Sequence, residues 1–238
     1  MIATSHGGGI SFTSALLDLE IVDTSFEHCL AEGTTITSGG AVHLSQQKAL
    51  KVQRCRFIEC RTQHGGGALC FYGSKDISIS DTLVKKCYSG TTGAIFIVRN
   101  GNPESHVFSH VLFEGNTVGD DTTYFTNNLK FDGTLTKFAD VAIICTEFTD
   151  LPTLTLTNCY TTVSPDSSGI IVGRKNPESD KYDPELILDD NSEKIGPLLT
   201  AKPTAKMNEK TGKIELEMEG KTPLTSQEYS GCISSHSS

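Results

Sequence analysis

Gly39-Gly40-Ala41-Val42, followed downstream by Phe57-Ile58-Glu59-Cys60, is a pair of motifs that this chain writes four times. The first recurs as Gly7-Gly8-Gly9-Ile10, Gly66-Gly67-Ala68-Leu69 and Thr92-Gly93-Ala94-Ile95. The second recurs as Phe26-x-x-Cys29, Val84-x-x-Cys87 and Phe113-x-x-Asn116. Successive first motifs lie 32, 27 and 26 residues apart, and successive Cys or Asn positions lie 31, 27 and 29 apart. A period in this range marks a stacked repeat architecture.

Between the motifs, apolar residues recur at spacing two: Val42 and Leu44, Leu50 and Val52, Leu69 and Phe71, Ile77 and Ile79, Ile95 and Ile97. Such alternation turns one face inward and the other to water, which is the pattern of strands. No window sustains apolar residues at i, i+3, i+4 and i+7, so helices are expected to be few. The leucine-rich repeat has a similar period, but its Leu and Asn consensus is absent. Turns are expected at Gly73-Ser74 and Gly101-Asn102-Pro103.

A repeat of this length with three short strands fits one turn of a parallel β-helix, its coils about 4.8 Å apart and its crossovers right-handed. Glycine in each Gly-Gly pair supplies positive φ at a corner or lets stacked backbones approach. The small Ala that follows points into a tight cross-section. Phe26, Phe57 and Phe113 form an aromatic ladder, and Cys29, Cys60, Cys87 and Asn116 stack at the next turn.

Gly-Gly-Ala-Ile paired with Phe-x-x-Asn is the signature of the chlamydial polymorphic outer-membrane proteins. The form with Cys in place of Asn resembles surface-protein families of protists. The chain resembles this group over residues 6 to 116. The resemblance implies a pectin-lyase-like right-handed β-helix, displayed at a cell surface or extracellular, with an adhesive or structural role. Three of the four Asn positions hold Cys here, and Val84 replaces one Phe. With no membrane-barrel pattern in these residues, the Cys-rich form is the nearer match.

The 238 residues carry a net charge of −9, with acids in both halves and no Lys/Arg cluster. That balance argues against nucleic-acid or anionic-membrane binding. Twenty-two Gly and few aromatics suit a turn-rich all-β chain. The eight cysteines stand at 29, 55, 60, 70, 87, 145, 159 and 232 without a C-x-x-C pair, so a zinc ribbon is not expected. Three readings of them stay open: buried free thiols, a structural disulfide from Cys55 or Cys70 to a neighbouring coil, or a reactive or metal-bound Cys. Parallel Cβ vectors disfavour bridging neighbours within a ladder. Met1 to His6 has no basic and apolar leader pattern, and no run of eighteen apolar residues exists to insert in a membrane. Because the first Gly-rich motif begins at residue 7, in mid-coil, the chain is expected to be a piece of a longer protein.

The expected organisation is a β-helix over residues 1–165, a closing loop or linker over 166–196, a β-hairpin over 197–225 and a disordered tail over 226–238. Val141 to Cys145 and Leu154 to Cys159 read as irregular final coils, and Gly169 to Val172 as the last strand, within the closing loop. In the hairpin, Ile214, Leu216 and Met218 alternate with Glu215, Glu217 and Glu219, as in a half-wet antiparallel pair. It resembles the opening strands of an immunoglobulin-like sandwich.

Many β-helices cut acidic polysaccharides, and that chemistry has defined residue requirements. A glycosidase needs two carboxylates in close opposition. The adjacent pairs Asp120-Asp121 and Asp189-Asp190 sit in polar stretches without pectinase-type surroundings. A β-elimination lyase needs a base and cations. Arg174-Lys175 and Lys85-Lys86 are the candidates, read respectively as closing loop and exposed coil wall. His6-Gly-Gly-Gly and His64-Gly-Gly-Gly resemble an esterase oxyanion motif, but they recur at the coil period and no Gly-x-Ser-x-Gly elbow accompanies them. His106 and His110 are four apart on strand and turn, a poor zinc pair. Tyr72 and Tyr88 are candidate sugar-stacking aromatics, and Asp189-Asp190-Asn191 with Glu193 is the best calcium cluster, read as a solvated loop. The expectation is no catalytic, cofactor-binding or metal-binding residue. The chain reads as a non-catalytic segment of a large surface protein that contacts protein or glycan partners. The alternatives are a fragment of a polysaccharide lyase or hydrolase, and a truncated gene product.

Overall fold

The computed structural model describes residues 2–13, 17–33, 37–99, 105–119, 130–131, 140–145, 153–157, 159–162, 170–175, 181–188, 202–207 and 214–219. These residues form strands and turns without a helix. They wind as a parallel β-helix with three walls, as the repeat requires.

The first wall stacks β1 (Ile2–Ala3), β5 (Leu30–Ala31), β9 (Arg61–Thr62), β12 (Tyr88–Ser89) and β15 (Thr117–Val118). The second stacks β2 (Ile10–Thr13), β6 (Val42–Ser45), β10 (Leu69–Tyr72), β13 (Ile95–Arg99), β17 (Val141–Cys145) and β20 (Ile170–Lys175). The third stacks β3 (Asp18–Val22), β7 (Ala49–Gln53), β11 (Asp76–Lys85), β14 (Ser105–Glu114) and β18 (Thr153–Thr157). Beside its lower rungs β4 (Ser25–Glu27) pairs with β8 (Arg56–Ile58), which pairs with the second half of β11, while β19 (Tyr160–Thr162) pairs with the second half of β14.

Every rung pairs in parallel with its copy, so like residues form columns. Ile10, Val42, Leu69, Ile95 and Val141 make one, and Phe12, Leu44, Phe71, Ile97 and Ile143 the next. Leu44, Phe71, Ile97 and Ile143 are fully buried. The expected aromatic ladder is present: the Phe26 and Phe57 rings stack at 5.1 Å with 3° between their planes, Val84 follows, and Phe113 continues the column. Each such side chain, moved wholly out of water, stabilises by about 1.5–3 kcal/mol.

Corners also repeat in columns. Asp23, Arg54, Asp81 and His110 have φ of 53°, 52°, 50° and 54°, and they bend the third wall at one height of every coil. His28, Glu59, Lys86 and Gly115 do the same at the next corner, with φ of 52°, 52°, 50° and 60°. A single left-handed residue re-aims the chain without breaking the ladder on either side.

The Gly-Gly motif divides its work. The first glycine takes positive φ, at 62° for Gly7, 68° for Gly39 and 70° for Gly66. The second lies against the next coil: a Cβ on Gly40 would stand 2.0 Å from the Gly67 carbonyl oxygen. The third position points inward and holds Ala41, Ala68 and Ala94, all fully buried.

Two regions differ from the sequence reading or fall outside it. Within the expected closing loop, where Gly169 to Val172 read as the last strand, β20 adds a parallel rung to the second wall and extends to Lys175, and β21 (Lys181–Leu188) pairs with it antiparallel. Arg174 and Lys175 therefore end a strand rather than lie in a loop. β16 (Lys130–Phe131) pairs with β21. The hairpin is formed by β22 (Lys202–Met207) and β23 (Ile214–Glu219), antiparallel as expected. Asp120-Asp121, the Asp189-Asp190-Asn191-Glu193 cluster and the 226–238 tail lie outside the described residues.

Candidate functional site

The third wall carries a shallow open groove of about 540 Å³ that crosses four rungs. Alternation puts Leu19, Leu50 and Ile77 inward, so their backbones form its floor. The outward neighbours Asp18, Ala49, Asp76 and Ser105 make one column, and Glu20, Lys51, Ser78 and Val107 make the next. Small residues at Ala49, Ser78 and Ser105 keep the floor low, and the charged residues stand at its rim. Asp76 Oδ1 accepts a hydrogen bond from the Ser105 backbone N–H at 3.3 Å. The groove runs along the coil axis, so an extended ligand lying in it meets one outward side chain of each column per rung.

Ion pairs cross the rungs beside this groove. Lys48 reaches Asp18 at 3.7 Å, Lys51 reaches Glu20 at 3.9 Å and Arg56 reaches Glu27 at 3.7 Å. Arg54 grips Asp23 with both forks, Nε to Oδ1 at 2.6 Å and Nη2 to Oδ2 at 2.8 Å. Exposed pairs contribute little stability singly, so their effect lies in choosing which coil stacks on which. The sequence reading missed this ladder. Its signal was available: Glu20 and Lys51, like Asp23 and Arg54, are 31 residues apart, one full repeat.

A second cluster sits where the outer face of the second wall meets the corner before it. The His6 and His43 rings stack at 4.5 Å with 20° between planes. Ser38 Oγ lies 3.1 Å from His6 Nδ1 and 2.9 Å from His43 Nδ1. One hydroxyl has one proton, so Ser38 donates to one ring and accepts from the other. Burial, reinforced by His6, lowers the His43 pKa to about 4, and burial lowers His6 as well. Both rings are therefore held neutral. Cys70, the outward neighbour of His43 one rung on, has its thiol pushed up to about 12 by burial.

This cluster has a Ser and a His but no acyl-transfer site. The backbone N–H groups of Gly7, Gly8, Gly39 and Gly40 donate to Ser38, Gly40, Gly65 and Gly66 carbonyls of the next coil, at 2.8–3.1 Å. They are spent on stacking and offer no oxyanion hole. His64 likewise serves the corner: its Nδ1 accepts from the Thr37 backbone N–H at 3.0 Å. The His-Gly-Gly-Gly motifs are part of the scaffold.

The expected Cys column is present. Cys29, Cys60, Cys87 and Asn116 are all buried. Cys60 Sγ donates to the Phe26 carbonyl at 3.4 Å and Cys87 Sγ to the Phe57 carbonyl at 3.5 Å, each reaching the coil beneath. Asn116 ends the thiol run with stronger bonds. Its Oδ1 accepts from the Cys87 N–H at 3.0 Å, and its Nδ2 donates to the Val84 carbonyl at 3.1 Å and to Asp140 Oδ1 at 3.0 Å. Cys29, Cys55, Cys60, Cys70 and Cys87 are free thiols. Burial raises the pKa of Cys29, Cys55 and Cys87 as it does that of Cys70. Since the thiolate is the nucleophile, iodoacetamide at pH 8 is expected to leave Cys70 and Cys87 unmodified in the native chain and to label both after unfolding. Peptide mapping by mass spectrometry checks this, and native labelling of either would contradict the burial.

The remaining candidates fall apart spatially. Lys85 pairs with Glu114 at 2.7 Å, and Lys86 stands 4.0 Å from Glu59. His106 is buried in the inward column with Ile77, whereas His110 sits at the bend 3.6 Å from Asp81, so the two do not converge. Tyr72 and Tyr88 are exposed on different walls. Among the described residues no three His, Cys, Asp or Glu side chains gather to hold a metal ion. Among the described residues no helix is long and apolar enough to cross a membrane.

Comparison with protein-family models, with curated proteins and with solved structures returns no match for this chain.

Proposed function

We propose that this chain is a non-catalytic β-helix segment of a large cell-surface or secreted protein, adhesive or architectural in role. The reading is supported by the four-rung groove of the third wall, whose outward columns present one side chain per rung at regular spacing along the coil axis. A wall of this kind binds by length, through a chain of weak and regularly spaced contacts to an extended protein segment or glycan. The resemblance of the paired motifs to the polymorphic outer-membrane proteins and their Cys-bearing protist counterparts favours the same role and an extracellular placement.

The test is to screen the purified chain against immobilised glycans and extracellular-matrix proteins, with Ser78→Arg as the groove variant. Ser78 is outward and half-buried, so its replacement fills the groove without touching the inward columns. Binding by the parent chain and at least a tenfold loss in the variant is the expected result. The same preparation is expected to release no unsaturated or reducing ends from acidic polysaccharides. Turnover of such a substrate would replace this reading with an enzymatic one.

A further inference from the structure

We propose that Asp76 is the anchor of the third-wall groove, and that the groove's partner is an extended protein segment whose Lys or Arg seats on that carboxylate. The inference rests on the groove reading above and names the class of partner within it.

Asp76 differs from the other acids of the groove. Asp18 meets Lys48 at 3.7 Å and Glu20 meets Lys51 at 3.9 Å, so each is balanced by a cation of the next rung. The rung that follows Asp76 turns Ser105 and Val107 outward, and neither is charged. Among the described residues no Lys, Arg or His pairs with Asp76. Its one partner is the Ser105 backbone N–H, which donates to Oδ1 at 3.3 Å. That bond orients the carboxylate and leaves Oδ2 to an incoming donor.

The surroundings give a cation room. Asp76 stands on the third of the four rungs, with Ala49 below it, Ser105 above it and Ser78 beside it, all small. Ala49 and Val107 are half-buried and outward, an apolar bed on which the methylene stem of a Lys or Arg can lie while its head reaches the acid. Charge and composition choose between the two kinds of ligand that the groove reading admits. The lining sets Asp18, Glu20 and Asp76 against Lys51 alone, and the whole chain carries −9, so a basic segment is drawn in and an acidic polysaccharide repelled. No aromatic ring lines the groove, so a sugar finds no flat face on which to stack.

The probe is a fluorophore-labelled dodecapeptide of alternating Thr and Lys, compared with its Thr-Gln counterpart and with a chitosan oligomer, which carries amines on sugar rings. Asp76→Asn keeps the oxygen that accepts from Ser105 and removes only the charge. Glu32→Gln is the control, since Glu32 is exposed, lies outside the groove and changes the net charge equally. The parent chain is expected to prefer the Thr-Lys peptide over both other probes. D76N is expected to weaken that binding at least about fivefold and E32Q less than about twofold, with affinity falling as salt rises. Amide chemical shifts of the parent chain are expected to move at Ala49, Asp76, Ser78 and Ser105. Equal losses in D76N and E32Q would mean diffuse attraction to an acidic chain and would overturn the proposal. So would equal affinity for the Thr-Gln peptide, tighter binding of the chitosan oligomer, shifts confined to other walls, or no binding at about 1 mM peptide. A matrix protein or glycan whose binding S78R abolishes and D76N leaves intact would keep the adhesive reading and remove this one.

Discussion

Gly40→Ala is expected to prevent the coil stack from forming, or to lose at least about 4 kcal/mol of stability. A methyl group there would stand 2.0 Å from the Gly67 oxygen and 2.6 Å from the Arg61 oxygen. Both are backbone atoms of the third and second coils, so no rotamer change relieves the overlap. The coils must part, and parting them breaks a run of bonds: Gly39 N–H to Gly65 O at 2.8 Å, Gly40 N–H to Gly66 O at 3.0 Å and Ala41 N–H to Ala68 O at 2.9 Å. Gly115→Ala is the control. Gly115 has φ of 60°, but an added methyl meets only Lys86 Cγ, at 3.7 Å. Its cost is that of a left-handed non-glycine residue, about 1–2 kcal/mol, which Lys86 and Glu59 already bear at the same corner. Urea unfolding followed by far-UV circular dichroism compares the two. A Gly40→Ala chain that unfolds with the same midpoint as Gly115→Ala would refute close rung contact as the reason for the second glycine.

The contrast between these glycines shows what the sequence could and could not disclose. Inward positions were legible because a parallel stack puts position n of every coil in one column. A period and an alternation therefore locate Phe57 above Phe26 and Cys87 above Cys60 with no further information. The Gly-Gly motif was legible as a corner, though not how its two glycines share the work, since φ and close approach leave the same residue type behind. Outward contacts were harder to see. His43 reaches His6 and Ser38 because the wall leans on a preceding corner, a relation that crosses columns and has no period of its own. The ion-pair ladder obeys the period but was hidden by reading charges along the chain instead of down the coils. At β20 the difference has another cause. The polar residues around 170–172 read as loop, and polarity at a strand end does not distinguish a loop from a strand that runs on to Lys175.

Acid is expected to weaken the chain through His43, by about 2–3 kcal/mol between pH 6.5 and pH 4. Burial, aided by the neighbouring His6 ring, lowers the pKa of His43 to about 4 in the folded chain, against about 6.5 when unfolded. Above pH 6.5 both states hold a neutral ring and the full stability is present. As pH falls below 6.5 the unfolded chain takes up a proton that the folded chain resists, so the equilibrium moves toward unfolding. Near pH 4 the folded ring protonates as well and the loss levels off. Each unit of separation is worth about 1.4 kcal/mol, and partial solvent access to the ring reduces the total below the full product. His6, lowered in the same direction by burial, adds to the effect. Its geometry makes the second protonation harder, since two imidazolium rings would lie stacked at 4.5 Å with one Ser38 hydroxyl between their Nδ1 atoms. His43→Gln keeps a polar group for Ser38 and removes the titration. Its unfolding free energy, measured in urea from pH 7.5 to pH 4, is expected to start lower than that of the parent and to fall less across the window. The pairs His28–Glu59 and His110–Asp81 are common to both chains and cancel in the difference. Parallel pH profiles for the two chains would show that the stacked pair is neither the acid-sensitive joint of the first two coils nor held neutral by its burial.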